Sequence, residues 1–159
     1  MIGDKIDCLK KIGSVQLSDA TSYCQSLNAS QILPRNRQES DDLIPALISL
    51  DLASEDGKTL VSIDISKTKE EWRDSTGQPI SYFNWLPNEP DNLGGSQNYA
   101  GFQIGGFNQT AKWNDYNGTD KLNVVCTKTA SHGKNSSTRY TNYKIRDPID
   151  KHNIFSDFR

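Results

Sequence analysis

Apolar residues along this chain fall into short runs of two different periods. A segment around Ile6 to Ile12 reads as a strand. Ser18 then looks like a helix N-cap with Asp19 in the first turn, opening a helix through Ala20, Tyr23, Cys24 and Leu27. Leu43, Ile44, Leu47 and Ile48 recur at helical spacing and predict a second helix over 37–50, with Pro45 expected to break or kink it. "GKTLVSIDI" (57–65) alternates and is β-branched, a strand pattern, and "KLNVVCT" (121–127) reads as a buried closing strand. Between 72 and 118 the periodicity fades. That stretch holds all three tryptophans (72, 85, 113), seven of the eleven glycines and prolines 79, 87 and 90. So much aromatic mass among turn signals predicts long packed loops, and loops of that kind carry function. Residues 128–159 are polar and without period, which predicts an extension that is extended, disordered or ordered only against a partner.

Composition narrows the classes. At 159 residues, with 34% hydrophobic content, the chain is one domain's worth: residues 1–127 as a domain, 128–159 as its extension. No apolar run approaches the roughly 20 residues of a spanning helix. A net charge of −2 is too balanced for a nucleic-acid binder that works by neutralising phosphates. The charge is uneven, however: 127–159 carry seven Lys/Arg against three Asp/Glu, a net of +4, leaving −6 on 1–126. The first residues lack the apolar core of a signal peptide, as expected of an intracellular protein or of a mature chain. Three cysteines leave one unpaired in any intramolecular scheme.

The loop region carries an ordered series: "EEWRDSTGQPISYFNWLPNEPDN" (70–92), "GGSQNYAGF" (94–102), "KWNDYNG" (112–118) and "NVVC" (123–126), preceded by "ATSYC" (20–24). This series resembles the C-type lectin-like domain in the form common among small secreted invertebrate lectins. The resemblance runs from about Cys8 to Cys126. It implies an α+β fold, with two helices flanking antiparallel strands and a long loop region that presents a calcium site. It also implies a disulfide between Cys24 and Cys126, worth about 4 kcal/mol in the chain-entropy model. The family's second, loop disulfide is missing, and Tyr99 and Gly118 stand in its positions. Cys8 lacks the partner that longer members provide, so it is either a buried thiol or an intermolecular link.

Carried over residue by residue, the family's principal calcium site falls on Glu89, Asp91, Gln97, Asn114 and Asp115, with a carbonyl oxygen from Asp115 and a cis Pro90. Hard oxygen donors of this kind suit calcium. Trp85 and Trp113 would anchor the loops from beneath. The family's accessory positions are held by Ile65, Lys69, Asn92, Gln97 and Asn98, so one calcium is expected. The same five residues would contact a terminal sugar. Glu-Pro-Asp is a hybrid of the mannose-type Glu-Pro-Asn and the galactose-type Gln-Pro-Asp signatures. Glu89 and Asp91 accept hydrogen bonds only, whereas Gln97 and Asn114 can also donate. Phe102, Phe107 and Tyr116 are candidates to stack on a sugar ring.

The implied function is a secreted, calcium-dependent carbohydrate-binding protein, in innate immune or other glycan recognition. A calcium-stabilised protein-binding module of the same fold is the alternative, joined to another chain through Cys8 or the basic residues Lys128, Lys134, Arg139, Lys144 and Arg146. Asn28, Asn108, Asn117 and Asn135 begin Asn-x-Ser/Thr sequons, consistent with secretion. An enzyme is not expected: both histidines (132, 152) lie in the extension, and Gly94-Gly95 and Gly105-Gly106 are loop pivots, not a phosphate cradle.

Overall fold

A computed structural model describes residues 5–50, 59–105, 112–131 and 143–145, with side chains between Leu9 and Lys128 of these ranges. The opening strand is longer than its apolar pattern: β1 (Lys5–Gln16) runs antiparallel to β7 (Lys121–Ser131) along its whole length, with a bulge between Lys11 and Gly13. Gly13 takes φ +111 there, a conformation an L side chain resists.

Helix α1 (Leu17–Ser26) begins one residue before the expected Ser18 cap, and Gln16 caps it without a side-chain bond. The first donors are instead satisfied by a distant turn: Leu17 N–H donates to the Asp120 carbonyl and Ser18 N–H to that of Gly118, both at 3.0 Å. Helix α2 (Arg37–Ser49) starts on a reciprocal capping box, in which Asn36 Oδ1 accepts from Glu39 N–H (2.9 Å) and Glu39 Oε2 accepts from Arg35 N–H (2.7 Å). Of the break or kink expected at Pro45, the break does not occur: the helix continues through it. The proline is exposed while Leu43, Ala46 and Leu47 are buried, so its ring falls on the solvent side, as does Asp41, whose carbonyl loses its usual partner to the proline.

With β5 spanning Gln97–Ile104, β6 Lys112–Asn117 and β8 Tyr143–Ile145, a mixed sheet is ordered β6-β5-β3-β7-β1-β8, with the two-residue β2 (Ser30–Gln31) on β7 and β4 (Glu71–Arg73) on β3 (Thr59–Thr68). Most pairings are antiparallel; β3 with β7 and β1 with β8 are parallel. Alternation on β7 divides the core. Val124 and Cys126 face Ala20 and Cys24 of α1, whereas Val125 belongs with Leu43 and Leu47 of α2 and with Val61, Ile63, Phe102 and Trp113. Cys24 and Cys126 form a disulfide across the first cluster, closing a separation of 102 residues with Cα atoms 5.4 Å apart. The fold is α+β, as the resemblance implies.

One segment departs from the sequence reading. The stretch taken as loops contains β4, β5 and β6. β7 runs to Ser131, past the boundary at 127, and residues 143–145 form β8 on the edge of β1, where Cys8 stands opposite Lys144. Asn108, Phe107, His132, Lys134, Asn135, Arg139, Arg146 and His152, and the Cys8 side chain, lie outside the described residues.

Candidate functional site

The sheet brings the two halves of the motif series together. Trp113 N–H donates to the Asn84 carbonyl and Leu86 N–H to the Trp113 carbonyl, each at 2.8 Å, so residues 84–86 lie alongside β6 as a parallel bridge. The Trp85 and Trp113 rings meet edge to face, with centroids 5.7 Å apart. Trp113 is wholly buried and also meets Tyr82, Phe83 and Phe102 edge-on. Both tryptophans are thus anchors under the loops. Four residues on from Trp85 stands Glu89; two on from Trp113 stands Asp115.

From that anchor the loop turns back. Glu89 N–H donates to the Leu86 carbonyl (3.1 Å), and the Glu89–Pro90 bond is cis. Asp115, fully buried, accepts from Asp91 N–H (3.3 Å) on Oδ1 and from Asn92 N–H (2.9 Å) on Oδ2. Asp91 N–H also reaches Glu89 Oε2 (3.1 Å), and Asp91 Oδ1 accepts from Leu93 N–H (2.9 Å). The carboxylates of Glu89, Asp91 and Asp115 each bring an oxygen within 4.8 Å of the others.

The two amides arrive from the strands. Gln97, at the start of β5, donates from Nε2 to the Asp115 carbonyl (3.0 Å), and its own N–H is held by Asn92 Oδ1 (3.0 Å). Its Oε1 is buried and makes no hydrogen bond among the described residues. Asn114 Oδ1 accepts from Asp115 N–H (2.9 Å). The structure therefore gathers Glu89, Asp91 and Asp115, with Gln97 bonded to the backbone of the third and Asn114 beside it on β6.

Three carboxylates at this spacing repel one another unless a cation or a proton intervenes. Burial pushes the Glu89 carboxyl up. Its hydrogen bond with Asp115 and the charges of Asp91 and Asp115 add to that, against the opposing Asp91 N–H. An all-oxygen set with a buried, unpartnered amide oxygen fits a hard divalent cation such as calcium and not a nitrogen- or sulfur-seeking metal. The donor set fits the ion that the resemblance implies.

Other candidates land elsewhere. Phe102 is wholly buried in the core, edge to face with Trp113, so it cannot stack on a ligand; aromatic character alone did not separate core from platform. Tyr116 is half-buried, and burial pushes its phenol up. Of the accessory positions, Ile65 is core, and the Asn92 side chain is engaged with Gln97 N–H. Tyr99 and Gly118 are in contact: a Cβ on Gly118 would meet Tyr99 Cε2 at 2.9 Å, so a ring covers the glycine where the family's loop disulfide would lie. A buried network that the sequence reading missed links Thr21 Oγ1, Gln31, Ser62 and Asp64, and Asp64 Oδ2 accepts from Ser75 Oγ at 2.6 Å. Nothing in the spacing of those residues distinguishes them from surface polar groups.

Comparison with known proteins agrees with this geometry. The C-type lectin domain model matches residues 13–128. Pulmonary surfactant-associated protein D of Bos taurus is 31% identical over 128 residues, which are 79% of this chain and 31% of that protein. The chain thus spans about a third of that relative's length. Among solved structures, the mouse scavenger receptor C-type lectin carbohydrate-recognition domain superposes with a TM-score of 0.63 at 21% identity, covering 80% of this chain and 92% of that one. The cow carbohydrate-recognition domain of CD23, solved in the presence of a GlcNAc2Man3 oligosaccharide, gives 0.62 at 22% identity, covering 82% and 92%. With the Trp-anchored loop, the carboxylate triad and the helix-to-strand disulfide in their order along the chain, this protein belongs to the C-type lectin domain family.

Proposed function

We propose that this chain is a secreted, calcium-dependent carbohydrate-binding module, with Glu89, Asp91, Gln97, Asn114 and Asp115 as both its calcium ligands and its sugar contacts. The single observation that carries the reading is the convergence of three carboxylates within 4.8 Å on a loop held by buried Asp115. Bound calcium neutralises the cluster and offers coordination positions to a pair of vicinal hydroxyls. The protein's own part is to orient those hydroxyls. Glu89 and Asp91 accept from them, and the side-chain amides donate. Gln97 spends one amide hydrogen on the Asp115 carbonyl, which leaves the other for a ligand. The hybrid motif suits either a mannose-type or a galactose-type terminal sugar, and one calcium is the proposed stoichiometry.

The Cys24–Cys126 disulfide supports an oxidising compartment, and hence secretion. Among the described residues no helix is long and apolar enough to cross a membrane. A role in innate immune recognition is part of the same proposal, as is binding without catalysis. Retention on immobilised mannose and galactose tests the reading. Calcium-dependent retention on one of them, lost with EGTA and with Glu89→Ala, is expected; retention indifferent to both would overturn the mechanism.

A further inference from the structure

Two of the four sequons lie among the described residues, and the structure treats them differently. Asn28 follows the last turn of α1 in the left-handed conformation (φ +52), and its N–H donates to the Gln25 carbonyl at 2.9 Å. Asparagine tolerates this helix-terminating position well. Its side chain is exposed and makes no hydrogen bond among the described residues. It borders an open cleft of about 260 Å³ together with Gln25, Ala29, Ser30, Thr127 and Lys128. Ser30, which completes the sequon, is exposed on β2.

Asn117 is the opposite case. It is half-buried at the end of β6, opposite Gln97 in the strand register, and its Oδ1 accepts from Ser96 Oγ at 2.6 Å. A glycan there would stand over the calcium and sugar site. The two sequons sit near opposite ends of α1, because the helix begins on the carbonyls of Gly118 and Asp120 and ends before Asn28. Ten residues of helix separate them by about 15 Å.

We infer that Asn28 is an N-glycosylation site and that Asn117 is not. The acceptor is Asn28 Nδ2, which forms a bond to C1 of an oligosaccharide and gives up a proton that ends on the released lipid pyrophosphate or in solvent. The bond from C1 to the oxygen of the lipid-pyrophosphate donor breaks, and its electron pair leaves with the pyrophosphate. A glycan at this place projects from the far end of α1 and leaves the sugar site open. The inference rests on the secretion reading, and its test supplies that condition directly.

The full chain is expressed in insect cells behind a cleavable secretory leader. N-glycans are removed enzymatically in heavy-oxygen water, so each formerly occupied asparagine appears in peptide mass mapping as a labelled aspartate. Counting only label above that of an enzyme-free incubation in the same water, because Asn117-Gly118 deamidates spontaneously, label at Asn28, none at Asn117, and loss of the Asn28 label in Ser30→Ala are expected. That variant keeps Asn28 at its helix end and should retain sugar binding like the parent. No label at Asn28 in disulfide-bonded protein, or label at Asn117, would overturn the inference. Occupancy is read by mass alone, so a chain labelled at Asn28 that binds no sugar removes the binding proposal and leaves this one standing.

Discussion

Asp115 carries two duties in one buried side chain, and they can be separated experimentally. Its carboxylate holds the backbone N–H groups of Asp91 and Asn92 as well as belonging to the proposed calcium set. Asp115→Ala leaves two donors without their acceptor, so stability in EGTA should fall by about 1–3 kcal/mol along with the loss of calcium binding. Asp91 is exposed, and Asp91→Asn keeps an oxygen for Leu93 N–H, so that variant should weaken calcium binding with little change in calcium-free stability. Denaturant unfolding in EGTA, paired with calcium calorimetry, checks both. Glu89 gives a pH dependence of definite sign. Its carboxyl is raised above the ordinary glutamate range, so the native calcium-free chain binds protons more tightly there than the unfolded chain. That contribution is fully present below the ordinary value and is lost as pH rises through the raised one. Glu89→Gln should therefore gain stability relative to wild type across that window when both are measured in EGTA. In calcium the order reverses, because protons and calcium compete for the same oxygens. At this scale the sequence pointed to Glu89, Asp91 and Asp115 as neighbours, and the structure brings their carboxylates together. The sequence was not informative about Phe102, whose burial depends on strand packing, or about the Gln97 bond to the Asp115 carbonyl, which depends on strand register.

Among the elements, those with an unmixed period were legible and those carrying the proposed ligands were not. α2 and β7 follow their apolar patterns, and α2 adds the Asn36–Glu39 cap. β6 alternates correctly, with Trp113 and Asp115 inward, but one of its two inward residues is a carboxylate, so the pattern reads as a polar turn. The start of α1 was misplaced for a related reason: its donors are met by carbonyls about a hundred residues away, a contact no local signal announces. Pro45 shows the limit of a propensity rule. A proline inside a helix costs up to about 3 kcal/mol, yet packing of Leu43, Ala46 and Leu47 holds this one in place. Pro45→Ala should raise stability by about 1–3 kcal/mol in chemical denaturation, the lower end reflecting the greater freedom of the unfolded chain. An unchanged midpoint would mean that the helix terminates at Pro45 in solution.

For the whole molecule, the proposed calcium site would couple folding to the ion through the cluster of Glu89, Asp91 and Asp115. A ligand bound only by the native state stabilises it by about 2.7 kcal/mol at a hundredfold excess over Kd. The melting temperature should therefore climb with calcium in wild type and stay level in Glu89→Gln. The cross-links that brace the fold are unequal. The Cys24–Cys126 disulfide ties α1 to the closing strand, while the loop that carries Glu89 and Asp91 relies on Trp113, Asp115 and the Tyr99–Gly118 contact. On the proposed reading, the calcium response belongs to the loop and the sheet sets baseline stability. The most direct test of the central claim is a glycan array probed with the folded chain in calcium and again in EGTA. Signal confined to glycans with one class of terminal sugar, and extinguished by EGTA, is the predicted result. A blank array from protein that demonstrably binds calcium, or a signal that survives EGTA, would contradict it.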